Sequence, residues 1–359
     1  MVTILSFLIV LSILVLVHEL GHFVVGRWAG AKVEEFALGF PPRIWSTRRG
    51  ETDYSLNAIP LGGYCRFAGE DSPDVTGGLS ALPRLKRSLV LVAGVTMNAV
   101  LAILLFALVF ATGYPTAVPV DGVKIVSVVP GSPAEQAGLK PNDVVLNVNG
   151  EAVKDTGAFG SAVRARLGQE ITLGVKRAGG GEDPLVVVPR ANPPDGEGPL
   201  GIGIQQAFVS ENRSYAPLQA LWMGVQQAWR ATELTLSVPV MIVRGLIPAE
   251  LARPVGPLGV ARIVGSAAEA APTSGLAPIL LTTALLSISL AIVNILPLPG
   301  LDGGRLVFVI LEWLRGGKRV NPQREAVIHL AGLMLLMALI VVITYFDIVS
   351  PAPNVTWGP

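Results

Sequence analysis

Long, uninterrupted runs of apolar residues dominate the pattern along this chain. Four of them reach the length of about 20 residues that a helix needs to cross the hydrocarbon core of a bilayer. They cover roughly residues 2–25, 88–113, 276–299 and 327–346. The sequence therefore predicts a polytopic α-helical membrane protein with four spans. The first run lacks the preceding basic residues and the A-x-A-like cleavage site of a signal peptide, so we interpret it as a retained span.

A fifth apolar stretch, residues 215–246, carries charges along its length. Arg230, Glu233 and Arg244 lie within it, and charged groups near the centre of a helix are unfavourable in lipid. We therefore predict an amphipathic helix that lies at the membrane interface or caps the helical bundle.

Between the second and third spans, the pattern changes to short β-rich runs separated by turn signals such as Asn149-Gly150. A short helix is predicted from Ser132 to near Gly138. The order strand, short helix, strand, helix, strand, strand fits a small barrel of roughly 90 residues. The four runs lie at 123–129, 143–148, 171–175 and 185–188.

Residues 129–150 closely resemble bacterial PDZ domains, from Val129-Pro130-Gly131-Ser132 to the closing Asn149-Gly150. The resemblance implies a domain that takes an extended peptide as an added strand at a sheet edge. A spacer domain without a ligand is the alternative. We predict four regions, namely a first membrane half (1–113), an inserted β-rich PDZ domain (114–205), an amphipathic juxtamembrane segment (206–275) and a second membrane half (276–359).

The amino-acid composition is typical of a membrane protein, and it argues against some classes of binding partner. The chain has 359 residues, of which 51% are hydrophobic and only 15% are charged, against about 25% in typical soluble domains. The net charge of +1 argues against nucleic acid as a main partner, because phosphate binding needs a basic excess. The single cysteine, Cys65, excludes an internal disulfide framework, and we interpret it as incidental.

Basic residues mark the sides of the membrane. Lys and Arg are concentrated in the loop between the first two spans (28–87) and in the loop between the last two (300–326). By the positive-inside rule both loops are cytoplasmic, so both termini and the PDZ domain are extracytoplasmic.

The sharpest chemical signal is His18-Glu19-Leu20-Gly21-His22, which lies inside the first span. On a helix, His18 and His22 share one face, so that two imidazoles can hold one zinc ion. Glu19 lies beside the first ligand and can take a proton from a water molecule that the metal activates. A buried polar cluster that binds helices together is the alternative, but His and Glu are rare in spans and mark functional sites.

A catalytic zinc site usually has three protein ligands, so a third residue is needed. His329 begins the fourth span beside a loop and is interpreted as interfacial. Asp302 is the better candidate, because the four-span topology puts it at the same cytoplasmic depth as His18. Pro297 and Pro299 break the helix before it, and broken backbone at membrane depth is tolerated where it is buried or lines a cavity.

These residues together resemble the site-2 protease family of intramembrane zinc metalloproteases, most of all the bacterial regulator-of-sigma-E-protease type. The shared features are the His18–His22 motif, the run from Asn294 to Gly304 and the PDZ insert, here with one PDZ domain. The resemblance implies zinc ligands His18, His22 and Asp302, with Glu19 as the base. It also implies a multi-pass protein of the bacterial inner membrane.

The same resemblance suggests roles for other residues. Asn294 is implied near the substrate or the transition state, and bonding the carbonyls freed by the two prolines is an equally good alternative. Residues 36–42 resemble a membrane-reentrant β-loop. Gly94 and Asn98 match a motif of the second span, and we interpret them as helix-packing residues rather than as chemistry.

The expected function is proteolysis of single-pass membrane substrates, such as anti-sigma factors or leftover signal peptides, within the lipid bilayer. A substrate helix would enter beside the first span, unwind locally and pair with the loop near residues 33–45. A non-catalytic membrane scaffold that recruits partners through its PDZ domain is the first alternative, and a metal or ion transporter is the second. The intact ligands and Glu19 argue against a scaffold. The polar groups cluster at one depth, which argues against a transporter.

Overall fold

The computed structural model describes residues 2–70, 75–194, 196–246 and 254–351. The chain divides into two compact units, one formed by Met1–Tyr114 with Ser214–Pro359 and the other by Pro115–Arg213. The first unit begins with a long helix, a pair of bent strands and a second long helix. These elements are α1 (Val2–Ala29), β1 (Val33–Arg49), β2 (Thr52–Phe67) and α2 (Arg84–Thr112).

Bends in β1 and β2 turn this pair of strands into a sheet with four lanes. Phe36 pairs with Tyr54 on one side and with Cys65 on the other, while Thr47 also pairs with Tyr54. The lanes therefore run in the order 63–67, 33–38, 53–56 and 45–49. The lane 33–38 is an interior strand, and the lanes 63–67 and 45–49 form the two edges.

The second unit is β-rich and has the predicted order of elements, with two further strands, a short one before its second helix and one at its end. Its elements are β3 (Tyr114–Val128), α3 (Pro133–Gln136), β4 (Val144–Val148), β5 (Glu151–Ala152), α4 (Thr156–Arg164), β6 (Ile171–Lys176), β7 (Glu182–Val187) and β8 (Ile202–Arg213). The sheet order is β7-β6-β4-β3-β8, with β5 on β4. Because β8 pairs with β3, this unit continues past the predicted boundary at 205 to Arg213.

The rest of the first unit is helical. Its elements are α5 (Pro217–Val243), α6 (Pro257–Glu269), α7 (Ala271–Ser274), α8 (Ala277–Ile295), α9 (Asp302–Leu314) and α10 (Pro322–Val349). Among the described residues, α1, α2, α8 and α10 are long and apolar enough to cross a membrane, as the sequence predicts. The charged helix α5 is not one of these four. Ala228 and Ala231 of α5 pack in one cluster with Ala102 and Phe106 of α2.

The third predicted span ends earlier than its apolar run. Helix α8 stops at Ile295, and Leu296 is already extended, with φ −61° and ψ 145°. Proline disfavours helical geometry in the residue before it, so Pro297 places the break at Leu296. The chain turns through Gly300 and restarts as α9 at Asp302. This break brings the start of α9 towards α1 and α2.

Candidate metal centre and cavity

Two histidines of α1 form the base of the site. His18 and His22 lie one turn apart on the same face, and each is only 7% exposed. Their Nε2 atoms are 3.2 Å apart, and the rings meet nearly at right angles, with centroids 4.8 Å apart. As the sequence predicts, the i, i+4 spacing on the helix directs one nitrogen of each imidazole to the same point.

Asp302 places a carboxylate oxygen beside these two nitrogens. Its Oδ2 lies 3.0 Å from His18 Nε2 and 3.1 Å from His22 Nε2. The residue reaches this position because the chain folds back tightly after the break. Gly303 packs so closely on the carbonyl groups of Ile295 and Leu296 that a Cβ would overlap them.

The three atoms fit a zinc ion. A tetrahedral zinc with bonds of 2.0–2.2 Å separates its ligand atoms by about 3.3–3.5 Å, close to the 3.0–3.2 Å seen here. Two imidazole nitrogens and one carboxylate oxygen are also a common zinc donor set, and three protein ligands are typical of catalytic rather than structural sites. Among the described residues, these three form the one group that could hold a metal.

His329 is not part of this centre. It lies on α10, and its Nδ1 accepts a hydrogen bond of 2.9 Å from the backbone N–H of Gly300. The third histidine therefore supports the turn that leads into Asp302 instead of binding the metal.

A polar cavity of about 490 Å³ opens onto the three ligands. Glu19 lines it, next to the ligands but outside the metal-binding group, and it hydrogen-bonds the main chain of Cys65. This contact ties the carboxylate to the edge strand 63–67 of the sheet. Other residues of the cavity come from β2, the loop after it, α2, the break and α9, and they include Tyr64, Arg66, Phe67, Glu70, Leu91, Asn294 and Arg305.

Asn294 faces the same cavity, in the last turn of α8. Its amide makes no hydrogen bond to another described residue, and the carbonyls of the break are packed on Gly303 and Gly304. Of the two alternatives left open by the sequence, a role towards a bound substrate therefore has the better geometry.

The cavity contains an ion pair that the sequence analysis missed. Glu70, in the loop after β2, accepts hydrogen bonds from the backbone N–H of Phe67 at 3.0 Å and from Arg305 at 3.1 Å. Arg305 follows Asp302 by one turn of α9, so the pair connects the sheet to the ligand-bearing helix. The signal available in the sequence was a charged residue one turn after the ligand.

Cys65 lines the cavity, and its environment disfavours the thiolate form. Burial, together with the nearby carboxylates of Glu19 and Glu70, raises the pKa of the Cys65 thiol. The thiolate is the nucleophilic form, so a raised pKa keeps the group inert. The part of this residue that contacts Glu19 is its main chain and not its sulfur.

The carboxylate of Glu35 holds the four-lane sheet together. This residue is only 2% exposed. It accepts hydrogen bonds from Ser55 Oγ at 2.7 Å and from Arg43, and it forms an ion pair with Arg66 at 2.9 Å. Ser55 lies in the lane 53–56 and Arg66 in the edge lane 63–67, whereas Arg43 lies just before the other edge lane, opposite Asn57. Burial by itself would raise the pKa of Glu35, but the hydrogen bonds from Ser55 and Arg43 lower it below its ordinary value of 4.5.

Helix α2 forms the wall behind the two histidines. His22 Nδ1 lies 2.8 Å from the carbonyl oxygen of Val90, and Asn98 Nδ2 lies 3.3 Å from His18 Nδ1. Gly94, midway between them, faces both rings, and a Cβ there would come within 2.5–2.7 Å of them. Gly94 and Asn98 do lie in a helix contact, as expected from the sequence, but the surface that they contact is the metal site.

The sequence is similar to those of known zinc metalloproteases. The family model described as peptidase family M50 matches residues 6–339. The zinc metalloprotease RasP of Oceanobacillus iheyensis is 31% identical, over 97% of this chain and 99% of that protein. Putative zinc metalloproteases of Clostridium perfringens and of Nostoc sp. are 34% and 35% identical, over 96% and 94% of this chain and 98% and 93% of theirs. A solved PDZ domain from Listeria monocytogenes matches 25% of this chain and 93% of its own, with 22% identity and a TM-score of 0.22.

Proposed function

The chain belongs to peptidase family M50, and from this premise we propose that it cuts single-pass membrane proteins inside their membrane-spanning segments. It is an intramembrane zinc metalloprotease with Zn²⁺ as its cofactor, like its named relatives. The observation that carries the proposal is the meeting of His18, His22 and Asp302 beside Glu19 at a cavity, with both histidines on a helix apolar enough to span a membrane.

The residues divide the chemistry between them. His18, His22 and Asp302 would hold zinc, which when bound polarises a peptide carbonyl and lowers the pKa of water. Glu19 is the general base, because its carboxylate faces the cavity beside the ligands without joining them. It takes the proton of the attacking water and later passes it to the leaving amine. Asn294 is placed to hold the substrate backbone or a developing negative charge.

The substrate segment must be extended at the site, because a helix hides its peptide carbonyls in its own hydrogen bonds. The sequence suggested pairing near residues 33–45, but the lane 33–38 has neighbours on both sides and offers no free edge. The lane 63–67 is an edge that lines the cavity and hydrogen-bonds Glu19. We therefore propose that an unwound substrate adds as a strand to residues 63–67.

The bend of β1 supports a reentrant position for the sheet. Phe40, Ile44, Trp45 and Ile59 at the bend are 43–66% exposed, which is unfavourable for large apolar side chains in water. Immersion of this bend in lipid would cover them. The proposal places the tip of the sheet in the bilayer and its charged base at the cytoplasmic face.

The physiological substrates proposed are anti-sigma factors or leftover signal peptides in the inner membrane of a bacterium. The PDZ unit would contact an extracytoplasmic peptide or substrate segment. This assignment rests on the membrane character of the cavity, the β-rich insert and the bacterial relatives.

The proposed topology has both termini and the PDZ unit outside the cell. A test is to place a cysteine at the exposed Val126 of β3 in a Cys65→Ser background, and to treat intact cells with a membrane-impermeant thiol reagent. Labelling in intact cells is expected. Labelling only after permeabilisation would reverse the topology.

The proposed function is tested by Glu19→Gln. This variant is expected to keep about one zinc per chain and to lose detectable cleavage of a membrane-spanning peptide that carries a fluorophore and a quencher at its two ends. The amide keeps the size of the side chain but cannot take the proton. Glu233→Gln, on the exposed face of α5, is the matched control and should cleave like the wild type. Cleavage by Glu19→Gln at the wild-type rate would contradict the mechanism.

A further inference from the structure

Asn98 is the most completely buried polar residue beside the metal centre. Its exposed fraction is 0%, and it lies on α2 directly behind His18. The two nitrogens of the His18 ring have different neighbours. Nε2 is 3.0 Å from Asp302 Oδ2, while Nδ1 is 3.3 Å from the side-chain amide of Asn98.

The chemistry of imidazole dictates which nitrogen carries the proton. A neutral ring has one N–H, and a metal binds the other, unprotonated nitrogen. For His22 the assignment is direct. Its Nδ1 lies 2.8 Å from the carbonyl oxygen of Val90, which can only accept, so Nδ1 carries the proton and Nε2 is left for the metal.

For His18, the residue that faces Nδ1 is Asn98. If Nε2 is to bind zinc, then Nδ1–H must donate, and the atom that faces it must be an acceptor. In the recorded orientation the amide nitrogen faces the ring, and the amide oxygen is buried without a partner among the described residues. A half-turn of the amide about its last side-chain bond exchanges these two atoms, which are nearly equal in size, and turns the oxygen towards the ring.

We infer that Asn98 is the positioning residue of His18, with its amide oxygen accepting the Nδ1–H of the ring. This bond selects the tautomer that leaves Nε2 free for zinc, and it fixes the plane of the ring. In this arrangement each of the two histidines has one acceptor on α2, which is the backbone carbonyl of Val90 for His22 and the side-chain amide oxygen of Asn98 for His18.

The periodicity of α2 explains why one helix supplies both contacts. Val90, Gly94 and Asn98 are spaced four residues apart and therefore share one face, which packs along the face of α1 that carries the two histidines. Gly94 has no Cβ to separate the helices at this point. The main chain of Asn98 is also anchored, because its carbonyl oxygen accepts a hydrogen bond of 2.7 Å from Ser287 Oγ of α8.

The inference rests on the zinc site of the proposed protease, but its test reads metal binding and not cleavage. The full chain, purified in detergent, would be titrated with a chelator of known zinc affinity. Asn98→Leu, which has no acceptor, is expected to bind zinc about 10–100-fold more weakly, the usual cost of losing such a partner. Ser287→Ala is the matched control, since it removes a buried hydrogen bond to the main chain of Asn98 without touching the ring. It should bind zinc like the wild type.

The Asn98→Asp variant distinguishes whether residue 98 accepts a hydrogen bond from His18 or donates one to it. A carboxylate can accept from Nδ1–H, so this variant is expected to bind zinc within a few-fold of the wild type or more tightly. Its cobalt-substituted form should show shifted visible bands, because the imidazole becomes more basic. If the amide nitrogen of Asn98 instead donates to His18, the carboxylate removes that donor and zinc binding falls as in Asn98→Leu.

Two results would overturn the inference. One is wild-type zinc affinity in Asn98→Leu, and the other is an equal loss of affinity in the Leu and Asp variants. If Asn98→Leu does not fold, the Asp variant still decides the question by its zinc affinity. Failure of the protease assay with normal zinc behaviour would count against the proposed function alone.

Discussion

At the scale of single residues, the site depends on three side chains that converge from two distant parts of the sequence. His18 and His22 come from one turn of helix, whereas Asp302 is 280 residues away from His22. Two histidines bind zinc weakly in the absence of a third ligand, because each coordinate bond must offset the hydration that the ion gives up. The carboxylate also supplies the negative charge that partly neutralises the ion.

Removal of either kind of ligand should therefore abolish stable zinc binding. We predict that wild-type protein carries about one zinc per chain, and that Asp302→Ala and His22→Ala carry close to none after dialysis against buffer without metal. Glu233→Ala is the control, because this residue is exposed on α5 and lies outside the metal group. Atomic absorption on purified protein measures the stoichiometry. Zinc retained in Asp302→Ala would show that the two histidines bind the metal without Asp302.

At the scale of elements, the four-lane sheet presents the edge strand 63–67 to the cavity. Glu35 connects this edge to the interior through Arg66, and it connects the opposite edge through Arg43. Both arginines are about half exposed, so solvent screens the pairs. The hydrogen bonds to a buried carboxylate still make a net contribution, typically about 1.5–3 kcal/mol for a charged group.

The pH dependence of this contribution follows from the lowered pKa of Glu35. A carboxylate whose pKa is lower in the folded state stabilises the fold above its ordinary pKa of 4.5, and the effect is lost as the pH falls through the folded value. We predict that Glu35→Gln lowers the free energy of unfolding by about 2 kcal/mol at pH 7. The difference should shrink below about pH 4. Thermal unfolding in detergent at several pH values measures it, and a difference that grows towards low pH would contradict this role.

At the scale of the whole molecule, the metal centre lies within one unit. The cavity and its ligands belong to the unit formed by Met1–Tyr114 and Ser214–Pro359. The chain leaves and re-enters this unit at neighbouring points, since the backbone N–H of Tyr215 bonds the carbonyl of Phe110 at 3.0 Å. The β-rich unit has its own core, with Val123, Ile125 and Leu173 fully buried.

These facts predict that the insert can be removed without loss of the metal site. Replacement of residues 115–213 by a short Gly/Ser linker should leave about one zinc per chain, because the two ends of the cut are adjacent. The set of membrane substrates that are cut should change, since the insert is proposed to contact them. Zinc analysis and a substrate panel measure the two effects. Loss of zinc on deletion would show that the units are not modular.

The apolar spans, the break before Asp302, the β-rich insert and the candidate ligands are all readable from the amino-acid sequence. These features depend on local rules, namely apolar length, helical periodicity, proline geometry and the chemistry of His and Asp. They are readable because each is encoded within a few residues of where it acts.

Which groups meet at the site depends on how the helices and the sheet pack. The edge strand beside Glu19, the Glu70–Arg305 pair and the contact of Asn98 with His18 join residues that are far apart in sequence, and no local pattern records such a contact. The sequence placed Gly94 and Asn98 in helix packing because a small residue and an amide on a span usually have that role. Packing of α2 against α1 turns the same two residues towards the histidines, because the four-residue spacings of both helices fall in register there.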